Sequence, residues 1–250
     1  MLSIAQCDTS LGEEMYNFAR LLWPINRSIT GDGVRQTLAL IKEHIPSLSI
    51  FEVLTGTQVF DWTIPREWRV REGYILTPDS ERICDFRVNN LHLVGYSIPF
   101  AGDLTLNELQ DHFYSLPDQP DAIPYVTSYY KEQWGFCICH KQRESLTEGL
   151  YKVVVDSDLF EGSLTYGEVI IRGSSQQEIF LSTYVCHPSM ANNELSGLVV
   201  TTFLVNWLLS QDNLKYTYRV VFVPETIGSI TYLGLNHPFG QGVGQVTSKR

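Results

Sequence analysis

Met15, Phe18, Leu21 and Leu22 recur at helical intervals behind Ser10 and Glu13, which have capping-box spacing, so the pattern predicts a first helix ending near Trp23. A polar loop, Asn26 to Gly33, then leads into Val34, Leu38, Ile41 and Ile45, and Pro46 closes this second amphipathic helix. Leu48 to Leu54 reads as a strand broken by Gly56. From Val59 the period shortens to alternation in segments rich in Trp, Tyr, Ile and Val: Val59 to Ile64, Trp68 to Thr77, Ile83 to Asn89 and Leu93 to Ser97. Thr105 and Glu108 form a second capping box, which predicts one helix through Leu106, Leu109, Phe113 and Leu116. Pro117, Pro120 and Pro124 make the next stretch extended, and Trp134 to Cys139 and Tyr151 to Val155 read as further strands. Beyond Ser163 the pattern predicts a hairpin of Leu164 to Ile171 with Glu178 to Cys186, a long helix from Glu194 to Leu209, and a strand from Tyr218 to Val223. Strand, helix, strand at these lengths is a βαβ unit, hence a parallel pair in an α/β core.

Composition narrows the functions open to such a fold. The 250 residues are 44% hydrophobic and only 18% charged, with a net charge of −10 and a pI near 5.0. That is enough apolar material for a substantial core, and the wrong sign for tracking phosphates, so nucleic-acid binding is not expected. No apolar run approaches the ~20 residues of a membrane span, and the start has no signal-peptide pattern, so the expectation is a cytoplasmic protein with no membrane partner. Five scattered cysteines argue against a disulfide framework. Cys137 and Cys139, followed by His140, lack a second pair at zinc-finger spacing and read as two thiols on one face of an alternating strand.

Chemistry is expected at two strand ends. His187 follows the strand that enters the long helix, and Glu225 follows the next parallel strand; ligands of open α/β sheets bind beyond such carboxyl ends. An imidazole and a carboxylate converging there suit zinc chemistry, with His187 as ligand and Glu225 as a ligand or as the base that takes a proton from metal-bound water. The structural alternatives are a hydrogen-bonding loop histidine, an N-cap at Asn192 or Asn193, and a Glu194 that merely complements the helix dipole. Ser196 lacks the Gly-x-Ser-x-Gly elbow of a serine hydrolase.

Five phrases carry a family likeness: LLWPINRSITGDGVRQTL (21–38), WGFCICH (134–140), LTYGEVIIRG (164–173), LSTYVCHPSMANNELSG (181–197) and VPETIGS (223–229). Together they resemble an uncharacterised bacterial aminopeptidase-like family whose members often lie in polysaccharide-biosynthesis gene clusters. The resemblance implies an α/β fold: a zinc-exopeptidase-like core, a mixed sheet flanked by helices, interrupted by a smaller β-rich inserted domain. The implied division is residues 1–57 for the first part of the core, 58–156 for the insert, 157–233 for the rest of the core with the metal-site motifs, and 234–250 for a loose tail.

By the same resemblance, His187 falls on the first metal-ligand position of the related zinc aminopeptidases and Glu225 on their general base. Asn193 falls where they have the aspartate that bridges two zincs, and Thr226 where they have a carboxylate ligand. A neutral amide cannot hold two cations together and threonine is a poor zinc ligand, so one zinc or none is expected, with Glu194 as the substitute donor beside His187 and Asn193. The activity implied is metal-assisted hydrolysis of an amide in a small peptide or an aminoacyl or glycan-linked substrate. The alternatives are a deacylase using the same chemistry, or a peptide- or glycan-binding protein that keeps the fold without turnover. The tail after Leu233 retains only His237 as a further ligand type, so the expectation is a chain that stops partway through its core, with homo-oligomerisation covering the open sheet edge.

Overall fold

Val220 to Val223 is apolar on both faces, and a strand of that kind needs a neighbour on each side and a layer above and below. The computed structural model, which describes residues 9–129, 131–236 and 247–249, puts this strand inside a mixed sheet. The order across the sheet is Glu178–Tyr184, Thr217–Val223, Ser163–Ile171, Ser49–Leu54 and Thr247–Lys249. The first two strands are parallel and every other pair is antiparallel.

Alternation along Thr217–Val223 splits the interior in two. Val220 and Phe222 join a cluster with Leu22, Leu38, Ile41 and Leu198 from the helices Thr9–Leu22, Asp32–His44 and Ser196–Leu209. Val221 and Val223 face the other way, into a cluster with Trp68, Phe136, Tyr151 and Leu164. That second cluster joins the main sheet to an antiparallel sheet ordered Arg82–Ile83, Glu67–Leu76, Leu150–Phe160, Phe100–Thr105. The result is an α/β fold of a mixed sheet with flanking helices, as expected.

Several local readings need correction. The predicted hairpin does not form: Thr217–Val223 lies between Ser163–Ile171 and Glu178–Tyr184. The linker amides show why, because Ser174 and Ser175 donate to Leu214 and Lys215 and carry the chain across the start of the inserted strand. Burial decides which strand takes the middle, since Thr217–Val223 is mostly buried whereas Glu178–Tyr184 is exposed at alternate residues, as an edge is. Ile83 to Ser97 is mostly turn rather than strand, with the Asn89 side chain accepting from Leu91 N and Cys84 and Tyr96 at positive φ. The first helix starts by Thr9, so Ser10 lies inside it. Cys7, His237 and most of the expected tail lie outside the described residues; Gly234 to Asn236 continue the helix Ile227–Asn236. No helix among the described residues is long and apolar enough to cross a membrane.

The second capping box forms as read, with Thr105 Oγ1 accepting from Glu108 N and Glu108 Oε2 accepting from Thr105 N. The helix behind it is one turn, Leu106–Leu109, because Phe113 turns extended to pair with Phe136. Thr105→Ala is expected to cost about 1 kcal/mol. A urea titration would show this as a lower midpoint at unchanged slope.

Candidate active site

Parallel pairing places the working side chains. Tyr184 pairs with Val223, Val185 N donates to Val223 O, and the two strands therefore release Cys186–His187 and Pro224–Glu225 side by side. His187 Nε2 lies 3.2 Å from Glu225 Oε2. Glu225 N also donates to Cys186 Sγ at 3.1 Å. Ser189 (φ 42°) and Thr226 (φ 56°) hold left-handed backbone on either side, a conformation that non-glycine residues adopt at some cost.

After Met190 the chain enters a single π-helical turn, Ala191–Leu195, ahead of the long helix. The turn leaves Asn193 exposed and tucks Glu194 under His187. Neither asparagine caps the helix. Glu194 Oε2 accepts from both His187 N and His187 Nδ1, each at 2.7 Å. Its other oxygen accepts from Arg27 Nε at 3.0 Å, and neither side chain of that ion pair touches solvent. Arg27 Nε also donates to His187 O and Arg27 Nη1 to Leu22 O. Burial pulls the Arg27 guanidinium below its ordinary pKa, and the Glu194 carboxylate opposes that pull.

His187 and Glu225 open onto a cavity of about 170 Å³ whose other walls include Ile29, Tyr125, Thr127, Tyr129 and Thr226. The Tyr125 ring stands edge-on to His187 at 5.0 Å between centroids, and its hydroxyl is 3.1 Å from that of Tyr129. Burial raises both phenols, Tyr129 to about 12, so both stay neutral hydroxyls. Burial also pushes the Cys186 thiol well above its ordinary value, with the charge of Glu194 adding to the effect.

These environments decide what could hold a metal. Donor atoms of Cys186, His187 and Glu194 lie within 4.8 Å of one another. Glu194, however, already accepts from Arg27 and His187, and Cys186 remains a thiol that accepts from Glu225 N. The donors that face the cavity are His187 Nε2 and the Glu225 carboxylate. They fit one divalent ion from two corners, one fewer than the three protein ligands usual in a catalytic zinc site. No further carboxylate or imidazole lines the cavity among the described residues. The sequence reading brought His187, Glu194 and Glu225 to one place, and the structure does the same. Asn193 does not line the cavity, and Glu194 sits behind the imidazole. Arg27, Tyr125 and Tyr129 were not anticipated.

A family profile described as "Domain of unknown function (DUF4910)" matches residues 16–245. The chain belongs to the DUF4910 family. This DUF4910 chain is 49% identical over 231 residues to a Clostridium acetobutylicum protein named for polysaccharide biosynthesis and an aminopeptidase-like domain, covering 92% of this chain and 53% of that protein. A crystal structure from Clostridium acetobutylicum superposes with a TM-score of 0.88 at 49% identity, over 91% of this chain and 54% of the other. The chain thus spans about half the length of these relatives. BSAP, a zinc aminopeptidase from Bacillus subtilis, shares the fold with a TM-score of 0.59 at 10% identity, over 92% of this chain and 66% of that one. A peptidase M28 precursor from Shewanella amazonensis SB2B gives 0.56 at 11%, over 90% and 69%. The aminopeptidase-like fold expected from the motifs is therefore the fold of this DUF4910 chain.

Proposed function

We propose that the cavity binds an amide, in a small peptide or an aminoacyl or glycan-linked substrate, and hydrolyses it with Glu225 as the proton acceptor. The observation that carries this reading is the His187–Glu225 pair: Nδ1 is tied back to Glu194 at 2.7 Å, so Nε2 faces Glu225 Oε2 at the cavity. An imidazole held this way is how proteins commonly orient a metal-binding nitrogen. Zinc would be held at His187 Nε2, with Glu225 left off the ion so that its carboxylate stays a base, and would supply Lewis-acid polarisation to a water or carbonyl oxygen.

The chain's own residues supply the remaining steps. Glu225, whose side chain is 47% exposed, can take a proton from an attacking water and pass it to the leaving nitrogen or to solvent. Tyr125 and Tyr129, kept neutral and hydrogen-bonded to each other, leave at most one hydroxyl proton for a carbonyl oxygen at the cavity. The name of the Clostridium relative supports a substrate drawn from polysaccharide assembly, such as an acylated amino sugar.

The test is metal content together with release of an aminoacyl anilide. Bound zinc and turnover at least about a hundredfold slower in Glu225→Gln are expected. Absence of both metal and Glu225-dependent turnover would sink the hydrolase. A second reading, ligand binding without turnover, is favoured by the exposed Asn193 and by the lack of a carboxylate at Thr226. It predicts peptide or glycan binding that a chelator leaves unchanged.

A further inference from the structure

We propose that Arg27 is a positioning residue for His187, acting through Glu194, so that the loop between the first two helices sets the direction of the imidazole at the cavity. This rests on the reading that His187 Nε2 is the working group there. One nitrogen of Arg27, Nε, contacts Glu194 Oε1 and the main-chain oxygen of His187 together, each at 3.0 Å. Nη1 is anchored 2.7 Å from Leu22 O, at the end of the first helix. Glu194 then holds His187 at two points, N and Nδ1. The linkage joins residues more than 150 positions apart in the chain, and its ion pair has no solvent contact.

Stability alone does not account for it. A buried ion pair is often no more stabilising than apolar residues of the same volume. Arg27 Nη2 is moreover one of two buried side-chain atoms without a hydrogen-bond partner among the described residues, which costs further free energy. Local rules broken at such expense are characteristic of sites where geometry matters for function.

The test uses ring-labelled histidine and proton–nitrogen spectra of the whole chain, with the His187 signals assigned by His187→Gln. Two variants are needed. Arg27→Lys keeps the charge and loses the geometry of the guanidinium, whereas the pair R27M/E194Q removes both charges and leaves none buried alone. In wild type the His187 ring is expected as one tautomer with a slowly exchanging Nδ1 proton. In every variant that folds it is expected to become a tautomer mixture, with affinity for zinc alone about 10- to 100-fold weaker. An unchanged ring spectrum in a folded variant, or collapse of both variants, would overturn the proposal and make Arg27 a structural strut. The ring signature does not depend on turnover or on metal, so it decides the role of Arg27 even if the hydrolase reading fails.

Discussion

Replacing Gly33 by alanine is expected to cost more than about 3 kcal/mol and to disorganise the site some distance from the substitution. A β-carbon at this position would lie 1.9 Å from Asn26 O, 2.5 Å from Asn26 C and 3.0 Å from Arg27 N. All three are main-chain atoms, so no side chain can swing aside. The helix Asp32–His44 cannot retreat either, because Val34, Leu38 and Ile41 are fully buried under the main sheet. The segment that must move is therefore Asn26–Arg27, whose far end carries the guanidinium that holds Glu194. Gly33→Ala should thus lower the denaturant midpoint sharply and broaden the His187 ring signals in whatever fraction stays folded. A midpoint within about 1 kcal/mol of wild type would mean that the loop yields easily, contrary to the geometry.

That loop also marks where the sequence stops being legible. Val34, Leu38, Ile41 and Ile45 announce their helix because each is fully buried and the burial follows the helical period. The parallel pair could be read because a long apolar helix separates its strands, and His187 and Glu225 follow from the strand-end rule once that pair is accepted. The false hairpin has the converse cause. Ser163–Ile171 and Glu178–Tyr184 are adjacent along the chain, but the more thoroughly apolar strand takes the place between them, a choice made by burial across the whole sheet. Arg27 carried no local signal, since one arginine in a polar loop looks solvated and its partners are more than 150 residues away. Tyr125 and Tyr129 sit in a proline-rich stretch with no period, and only the fold brings Tyr125 over His187 with Tyr129 beside it. Glu194 was legible as a residue but not in its direction: an ordinary helical start does not foretell the π turn that buries it and exposes Asn193.

Glu194→Ala is expected to destabilise the chain by about 3–5 kcal/mol, because it leaves the Arg27 charge buried with its main carboxylate partner gone. Among the described residues Arg27 would keep only carbonyl acceptors, Leu22 O and His187 O, beside the already unpartnered Nη2. His187 would lose the acceptor at Nδ1 and the one at its main-chain N together. Arg27→Ala should do comparable damage from the other side, by stranding the carboxylate. If the two groups act as a unit, the double variant R27A/E194A should be less destabilised than the sum of the singles, with a coupling of up to about 3 kcal/mol in urea titrations. The apolar neighbours Leu22 and Leu195 can close part of the space left behind, whereas they can do nothing for a lone charge. Simple additivity would show that the two side chains are held independently, and the route from the first loop to the imidazole would then have to run through the main-chain contact of Arg27 with His187.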